Sequence, residues 1–378
     1  MAPPPLALYV HWPWCVKKCP YCDFNSHERR GEIDDAAYLA ALIADLEAAL
    51  PQIWNRPVIS VFIGGGTPSL MRAETADALL AAIRMRVPLH PGAEITLEAN
   101  PGTAEAAKFA GFRAAGVNRL SIGVQSFDDA KLAALGRIHD SAEARRAIDM
   151  ALQNFERVNL DLMYALPQQT LAETERDIAT AIGAGVGHIS AYHLTLEPNT
   201  PFHHAPPPLP DDDLAADMQE LVEARLADAG FAQYETSAFA QPGQRCQHNL
   251  NYWTFGDYLG IGAGAHSKLS SHESIWREAR HRNPRAYLEG AARSDFISTR
   301  QPVARADLPG EFMMNALRLN EGFLPRLFTE RTGLPLAVIE ESVLAARRDG
   351  MLETVDGHIR PTPRGRRFLN QLLAGFLD

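Results

Sequence analysis

Three of the four cysteines of the chain lie between residues 15 and 22. They are Cys15, Cys19 and Cys22 in the segment YVHWPWCVKKCPYCDFNSH, whereas Cys246 lies more than two hundred residues further along. Thiols grouped so closely make a poor disulfide framework, and the surrounding lysines and prolines do not suit a packed core. Any fold of this chain must therefore present a loop that gathers three thiols at a metal or cluster site.

Two kinds of metal site fit three cysteines at this spacing. Structural zinc takes four protein ligands, and His11 or His27 could supply the fourth beside the thiolates. An iron–sulfur cube also takes four ligands, normally thiolates, so three cysteines leave one iron open to another molecule. The spacing favours the cluster over zinc by roughly two to one, and zinc stays open.

The fold around the cysteine loop is predicted from strand and helix patterns that alternate between residues 6 and 197. Asp34 or Asp35 is expected to cap one helix and Ser141 another, and the TLAE capping box of residues 170–173 is expected to begin a third. This order predicts an α/β fold of parallel strands joined by helical crossovers. The predicted strands are Leu6–Trp12, Val58–Ile63, Glu94–Ala99, Arg119–Val124, Val158–Met163 and His188–Leu196.

The segments that follow the predicted strands carry polar side chains and glycines, in GGGTP, EANP, GVQSF and NLDLMYALP. In parallel α/β folds the chemistry collects at these carboxyl ends of the strands. No GK[ST] follows the glycines, so GGGTP is not a nucleotide P-loop, but it allows a ligand to approach the backbone closely. Glu98 suits an ammonium group or ribose hydroxyls, and Arg137 suits a carboxylate.

Three regions are expected along the chain. Residues 1–235 form the core barrel, residues 236–300 a connecting segment that carries HNLNYW in a loop, and residues 301–378 a winged-helix-like C-terminal domain. Acidic and basic residues are roughly balanced in the last region, which favours a lid or a docking role over DNA reading. The formal net charge of -10 also argues against nucleic-acid binding. No secretory signal or membrane span is recognised, which predicts a cytoplasmic protein.

CxxxCxxC after a strand, GGGTP after the next strand and six strand–helix units resemble the radical S-adenosylmethionine (SAM) superfamily. The resemblance implies a partial (β/α)6 barrel and one [4Fe–4S] cluster held by the three cysteines. It also implies SAM chelated to the open iron through the amino and carboxylate groups of its methionine, and cleaved to a 5′-deoxyadenosyl radical on one-electron reduction. A fourth cysteine would fill the open position, which explains why only three are present.

Motifs along most of the chain, among them SIGVQSF, HNLNYW and GIGAGAHS, resemble the oxygen-independent coproporphyrinogen III dehydrogenase family. In its decarboxylating branch the cluster motif continues as CxxxCxxCxC after a longer leading segment. Here Phe24 replaces the extra cysteine, as in the haem-chaperone branch. The implied function is delivery of haem to respiratory haem proteins, without coproporphyrinogen dehydrogenase activity. Radical oxidative decarboxylation of coproporphyrinogen III is the alternative.

The resemblance also assigns residues to two ligands. For haem it implies His248 as axial ligand, with Tyr252 and Trp253 facing the macrocycle and Asn249 orienting the imidazole. Rival haem ligands are Cys246 and His266. The residues expected near SAM are Tyr9, Tyr21, Gly65, Gly66, Thr67, Glu98, Gln125, Arg137 and Asp161.

The same resemblance sets the expected partners. They are haem, haem-accepting respiratory apo-proteins and a reductant protein, with no nucleic acid and at most peripheral contact with a membrane. A homodimer is left open.

Overall fold

A computed structural model describes residues 3–377 of the chain. Most of its strands join one mixed sheet of twelve strands, and two small two-stranded sheets complete the set within the described residues. The strands are β1 Leu6–Trp12, β2 Trp14–Cys15, β3 His27–Glu28, β4 Val58–Gly65, β5 Leu89–Ala99, β6 Arg119–Gln125, β7 Arg157–Tyr164, β8 His188–His193, β9 Ala232–Gln233, β10 Ala238–Ala240, β11 Asp257–Ile261, β12 His266–Ser270, β13 Ile275–Arg280, β14 Ile297–Pro302, β15 Leu352–Val355 and β16 His358–Pro361.

Helices connect most of these strands and form the C-terminal part of the chain. They are α1 Asp35–Ala49, α2 Ala73–Arg86, α3 Thr103–Ala106, α4 Phe109–Ala115, α5 Asp129–Ala134, α6 Ser141–Asn154, α7 Leu171–Gly183, α8 Pro201–His204, α9 Asp212–Asp228, α10 Gln247–Trp253, α11 Pro284–Ala291, α12 Leu308–Ala316, α13 Pro325–Thr332, α14 Ala337–Arg348, α15 Pro363–Arg367 and α16 Leu369–Ala374.

The predicted parallel barrel is confirmed. Strands β1, β4, β5, β6, β7 and β8 lie side by side in that order, and each neighbouring pair is parallel. Their apolar residues pack against the crossover helices in one large buried core. The last of these strands ends at His193 rather than at the predicted Leu196, because residues 194–197 no longer belong to the ladder with β7. Parallel order places all six carboxyl ends at one rim.

Local capping explains where two of the helices begin. Thr170 and Glu173 form the predicted capping box at α7, each side chain accepting a backbone N–H from the other residue. The predicted cap at Ser141 is wrong by one residue. The cap of α6 is Asp140, because its carboxylate accepts the N–H of Glu143 while Glu143 accepts the N–H of Asp140.

The stretch TAEAAKFAGFRAAG, which the sequence predicts as one helix, is divided into α3 and α4. Lys108 lies at the division, and its ammonium group donates to the carbonyl oxygens of Ser69, Leu70 and Met71. These carbonyls belong to the turn that follows GGGTP, so the interruption supplies a cation that fixes this loop. Gly116 ends α4 with a φ of +106°, which suits glycine.

Residues 236–300, which the sequence predicts as a connecting segment, add strands to the barrel sheet. Strand β11 pairs in parallel with β1, and β12, β13 and β14 continue the sheet as antiparallel neighbours. A buried ion pair joins this extension to the barrel, since Arg280 lies 2.9 Å from Asp45 of α1. A second buried pair, Lys268 with Asp257 at 3.1 Å, ties β12 to β11 within the extension. HNLNYW forms helix α10, so its prediction as a loop is wrong.

The C-terminal part has its own buried core, formed mainly by α12, α13, α14, α16 and the β15–β16 hairpin. The hairpin turns at Asp356 and Gly357, both of which have positive φ, as the sequence predicts. This arrangement of helices and one hairpin agrees with the winged-helix-like prediction. Within residues 3–377, none of the helices has the length and apolar character needed to cross a membrane.

Candidate cluster and cofactor site

A cavity of about 480 Å³ opens at the carboxyl ends of the parallel strands. Its wall contains all three clustered cysteines and most of the residues that the sequence assigns to SAM. The sequence-predicted residues on the wall are Cys15, Cys19, Cys22, Tyr21, Gly65, Gly66, Thr67, Glu98, Gln125, Arg137 and Asp161. Side chains from five different strand ends and loops therefore meet in one place, as the parallel topology requires.

The three clustered cysteines are half-buried free thiols on one loop. The N–H of Cys22 donates to the carbonyl of Cys19, and Lys18 closes the loop by donating to the carbonyl oxygens of Phe24 and Ser26. Burial raises the pKa of the Cys15 and Cys22 thiols. Iron binding must therefore displace their protons, so the assembly of a cluster here is expected to release protons.

Both histidines that could serve as a fourth zinc ligand are engaged elsewhere. The ring nitrogens of His11 lie 2.9 Å from the Tyr9 hydroxyl and 2.9 Å from the Asn25 carbonyl oxygen. His27 contacts the side-chain oxygen of Asn25 at 3.3 Å. The Asn25 amide also donates to the carbonyl of Ala263 in GIGAGAHS, at 2.9 Å. The geometry thus assigns these histidines to holding the cysteine loop against the turn after β11.

The GGGTP loop lies directly against the cysteine loop. The N–H of Gly66 donates to the Trp12 carbonyl at 2.7 Å, and the N–H of Thr67 donates to the Trp14 carbonyl at 2.8 Å. Gly65 has a φ of +116°, a conformation that side-chain-bearing residues rarely adopt. A β-carbon on Gly66 would lie 2.6 Å from the Trp14 carbonyl oxygen. Only glycine allows the two loops to lie this close together.

Arg137 joins the strand ends to the cysteine loop. Its guanidinium donates to the Gly123 carbonyl at 2.6 Å and to the side-chain oxygen of Asn100 at 2.7 Å, and it lies 3.7 Å from the Cys19 sulfur. Asn100 in turn donates to the Thr67 hydroxyl at 3.0 Å. Asn100 was not among the predicted site residues, although it lies in EANP. Its amide links Arg137 to the GGGTP loop.

Two polar atoms on the wall are buried without a hydrogen-bond partner within the described residues. They are the side-chain oxygen of Gln125 and the Nε of Arg137. Gln125 also has a φ of +65°, which is costly for a residue other than glycine and is typical of ligand sites. An unpaired acceptor and an unpaired donor on the same wall fit a polar ligand that bears both kinds of group. The wall therefore fits a molecule such as SAM.

Two carboxylates, Glu98 and Asp161, also lie on the cavity wall. Asp161 accepts hydrogen bonds from the Ser121 hydroxyl at 2.8 Å and from the Asn159 amide at 2.9 Å, and burial raises its pKa. Glu98 accepts the N–H of Gly65 at 3.0 Å. Burial, followed by the nearby Asp161 carboxylate, raises the pKa of Glu98 to about 7. Both acids suit an ammonium group or ribose hydroxyls.

Glu98→Gln is expected to stabilise the cluster-free protein at alkaline pH. The pKa of Glu98 is raised above its usual 4.5, so its contribution to the free energy of unfolding is complete below pH 4.5 and is lost as the pH rises through about 7. Glutamine keeps an acceptor for the Gly65 N–H and removes the buried charge. The melting temperature at pH 8 should rise by about 2–4 °C, and the gain should shrink towards pH 4.5.

Thermal denaturation across this pH range measures the effect. The exposed Glu273 provides a matched control, since Glu273→Gln removes a carboxylate that lies in water. Equal melting temperatures for wild type and Glu98→Gln at pH 8 would contradict the claim that the buried negative charge of Glu98 destabilises the fold.

The residues assigned to haem lie away from the cavity wall. Helix α10 covers the amino-terminal end of the barrel, where His248 is only 4% exposed. Its ring stacks on Phe62 at 4.8 Å, and Nδ1 lies 3.2 Å from the Ser60 hydroxyl, which replaces the predicted hydrogen bond with Asn249. Tyr252 lies 5.1 Å from the same ring. In this arrangement the imidazole does not face the open cavity, so axial ligation requires α10 to move.

The remaining predicted residues have structural contacts of their own. Tyr9 lies inside the barrel below the cavity, with its ring 6.3 Å from that of His248. The Trp253 ring packs under the guanidinium of Arg318 at 5.2 Å.

Of the rival haem ligands, Cys246 is 1% exposed, whereas His266 is exposed at the start of β12. Exposure alone therefore makes His266 the more accessible of these rivals.

Two family models match the chain. Residues 9–181 match the radical SAM superfamily, and residues 303–368 match the HemN C-terminal domain. Among solved structures, coproporphyrinogen III oxidase (HemN) from Escherichia coli, described as a radical SAM enzyme, superposes with a TM-score of 0.83 at 22% identity. That match covers 99% of this chain and 90% of the other. At this identity the likeness concerns the fold alone.

Curated relatives resemble the chain over nearly its whole length. "Heme chaperone HemW" from Escherichia coli K12 is 48% identical over 99% of this chain and 98% of its own length. The protein of the same name from Haemophilus influenzae is 46% identical over the same shares of both chains. That from Mycobacterium tuberculosis H37Rv is 38% identical over 96% of this chain and 92% of its own length.

Proposed function

The chain belongs to the HemW family of the radical SAM superfamily, and on this basis we propose that it is a haem chaperone that binds haem and delivers it to respiratory haem proteins. The observation that carries the proposal is the identity of 38–48% to proteins named heme chaperone along almost the entire chain. A likeness confined to the barrel would support only a shared fold. We also propose a cytoplasmic location and a reductant protein as a further partner.

The cavity is proposed as the site of a [4Fe–4S] cluster and SAM. Cys15, Cys19 and Cys22 would hold the cluster, which supplies an open iron position for SAM and one-electron chemistry when bound. Support comes from three thiols on one wall, a glycine loop against them, and unpaired polar atoms nearby.

The chain's own residues have distinct tasks in that site. Arg137 offers a donor towards a carboxylate, while its other hydrogen bonds keep Asn100 and the GGGTP loop in place. Glu98 and Asp161 offer acceptors for an ammonium group or hydroxyls. Tyr21, whose ring lies 6.4 Å from that of Phe202, would close the site beside the cluster.

Haem is proposed to bind with His248 as axial ligand after α10 has moved. The helix carries Tyr252 and Trp253 on the same short segment, and both present aromatic faces that suit a macrocycle. Phe24 is 61% exposed at the mouth of the cavity, where the decarboxylating branch has a cysteine. We therefore propose that the protein binds haem and lacks coproporphyrinogen dehydrogenase activity.

A haem titration of the anaerobically reconstituted protein tests this function beside an assay for coproporphyrinogen decarboxylation. We expect a saturable change in the haem Soret band and transfer to an apo-cytochrome, with no protoporphyrinogen formed. Formation of protoporphyrinogen without saturable haem binding would overturn the proposal.

His248→Ala is expected to shift the haem spectrum and to weaken haem binding partially while the cluster content stays unchanged. The imidazole is lost, whereas contacts of the macrocycle with Tyr252 and Trp253 remain. The visible spectrum, haem affinity and iron content are measured together, with His266→Ala and Cys246→Ala compared under the same anaerobic conditions. If either comparison variant changes the haem spectrum and His248→Ala does not, the axial ligand lies elsewhere.

A further inference from the structure

A line of hydrogen bonds runs through the interior of the barrel, starting at the cavity. The side-chain N–H of Asn159 donates to Asp161 at 2.9 Å, and Nδ1 of His188 lies 2.6 Å from the side-chain oxygen of Asn159. Nε2 of His188 then lies 2.9 Å from the hydroxyl of Tyr234. Asn159, His188 and Tyr234 are each no more than 2% exposed, so water does not compete for these bonds.

The line continues to the first turn of α10. The backbone N–H of Cys246 donates to the Tyr234 hydroxyl oxygen at 3.3 Å, and the Cys246 thiol donates to the Glu94 carboxylate at 3.3 Å. The same carboxylate accepts the backbone N–H groups of Gln247 and His248, each at 3.2 Å. One end of the line is thus a cavity carboxylate, and the other end holds the helix that carries HNLNYW.

Each link in the line has one direction. The Asn159 oxygen can only accept, so the proton of His188 lies on Nδ1. Burial and the nearby Arg119 cation keep the pKa of His188 well below its usual value, so the imidazole is neutral and Nε2 accepts from the Tyr234 hydroxyl. That hydroxyl oxygen then accepts the N–H of Cys246. The Cys246 thiol in turn donates to the Glu94 carboxylate, which already accepts the backbone N–H groups of Gln247 and His248.

We propose that Asp161, Asn159, His188, Tyr234 and Cys246 form a relay that couples SAM binding in the cavity to the stability of helix α10. The inference rests on the proposed SAM site. A ligand group that shares the Asp161 carboxylate fixes one end of the relay. Because Nδ1 of His188 and the Tyr234 hydroxyl each have a single acceptor, this order passes to His188 and Tyr234, which act as positioning residues, and α10 opens less often.

Hydrogen–deuterium exchange of the cluster-loaded protein tests the relay. Backbone amides of α10 are followed anaerobically with and without SAM, in the absence of a reductant, while SAM binding is measured separately by equilibrium dialysis. We expect exchange in α10 to slow by about fivefold or more when SAM is bound. This readout requires neither haem nor turnover, so it separates the relay from the haem-chaperone proposal.

Tyr234→Phe removes the hydroxyl that joins His188 to Cys246 and keeps the buried ring. Tyr287→Phe is the matched control, because Tyr287 is also fully buried and its hydroxyl also makes a hydrogen bond, with Asp45 at 2.9 Å, outside the relay. We expect Tyr234→Phe to lose the SAM-dependent protection of α10 and Tyr287→Phe to keep it.

Two outcomes would overturn the relay. The first is SAM binding to the wild-type protein with unchanged exchange in α10, which would leave the proposed function intact. The second is full protection in Tyr234→Phe. Absence of SAM binding in the wild type would contradict the proposed SAM site and, with it, the relay.

Discussion

Cys19→Ala is expected to abolish the iron–sulfur cluster. A [4Fe–4S] cube in this loop has three protein thiolates, and two thiolates cannot retain it, so iron and sulfide should fall from about four each per chain to near zero. The broad visible absorption of the cluster should disappear with them. Cys19 also lies 3.7 Å from the Arg137 guanidinium, so its loss leaves that cation without its sulfur contact. We therefore expect SAM binding to be lost as well.

Cys246→Ala is the matched control for this experiment. Cys246 is the other cysteine of the chain, is 1% exposed and lies away from the cavity wall. Its replacement should leave the iron and sulfide content unchanged. If Cys19→Ala keeps full iron and sulfide, or if Cys246→Ala loses them, the assignment of the cluster ligands is wrong. Stoichiometric zinc in the reconstituted wild-type protein would equally contradict a cluster.

The sequence predicts the barrel and the cysteine loop because both are encoded over short distances. Strand β1 has the limits that the sequence predicts, Leu6–Trp12, since the run LALYVHW is apolar except for His11. The capping box at Thr170 and Glu173 spans four residues and needs no tertiary information. Once the strands are known to be parallel, their carboxyl ends must share one rim. The residues that follow each strand in the sequence therefore form most of the cavity wall.

Residues whose role depends on distant partners were missed. Asn159 and His188 are 29 residues apart, and His188 and Tyr234 are 46 residues apart, yet they are hydrogen-bonded to one another inside the barrel. Alternation alone places polar residues inside β7 and β8 but cannot say which of them meet. Asn100 is hard to predict for a different reason. In EANP the charged Glu98 is the more obvious ligand group, although it is the side-chain oxygen of Asn100 that accepts from Arg137.

The HNLNYW segment shows how a motif can be recognised while its setting is misjudged. Helix α10 has only seven residues, too few for a helical period to stand out, so the sequence predicts this segment as a loop. The carboxylate of Glu94, in strand β5, accepts N–H groups of the first turn of α10. No local sequence pattern could reveal a partner so far away in the chain. The burial of His248 adds a requirement for haem binding. The histidine must be released from Ser60 and Phe62 before an iron can reach it.

Gly66→Ala is expected to cost SAM binding at least about a hundredfold, which corresponds to roughly 2.7 kcal/mol. The added β-carbon would lie 2.6 Å from the carbonyl oxygen of Trp14 and 2.9 Å from the carbonyl carbon of Pro13. Both are backbone atoms, so no side-chain rotation relieves the contact, and the two loops must separate. The hydrogen bond from the Gly66 N–H to Trp12 would then lengthen, and the GGGTP loop would leave the cysteine loop.

Gly183→Ala gives the same chemical change without the contact. An added β-carbon at Gly183 meets no atom within 4 Å, and the residue lies at the end of α7 with an ordinary φ. SAM affinity and cluster content of both variants are measured by equilibrium dialysis and iron analysis. Gly183→Ala should match the wild type in both. Wild-type SAM affinity in Gly66→Ala would mean that the two loops do not need to lie this close to bind SAM, and the site built from them would have to be abandoned.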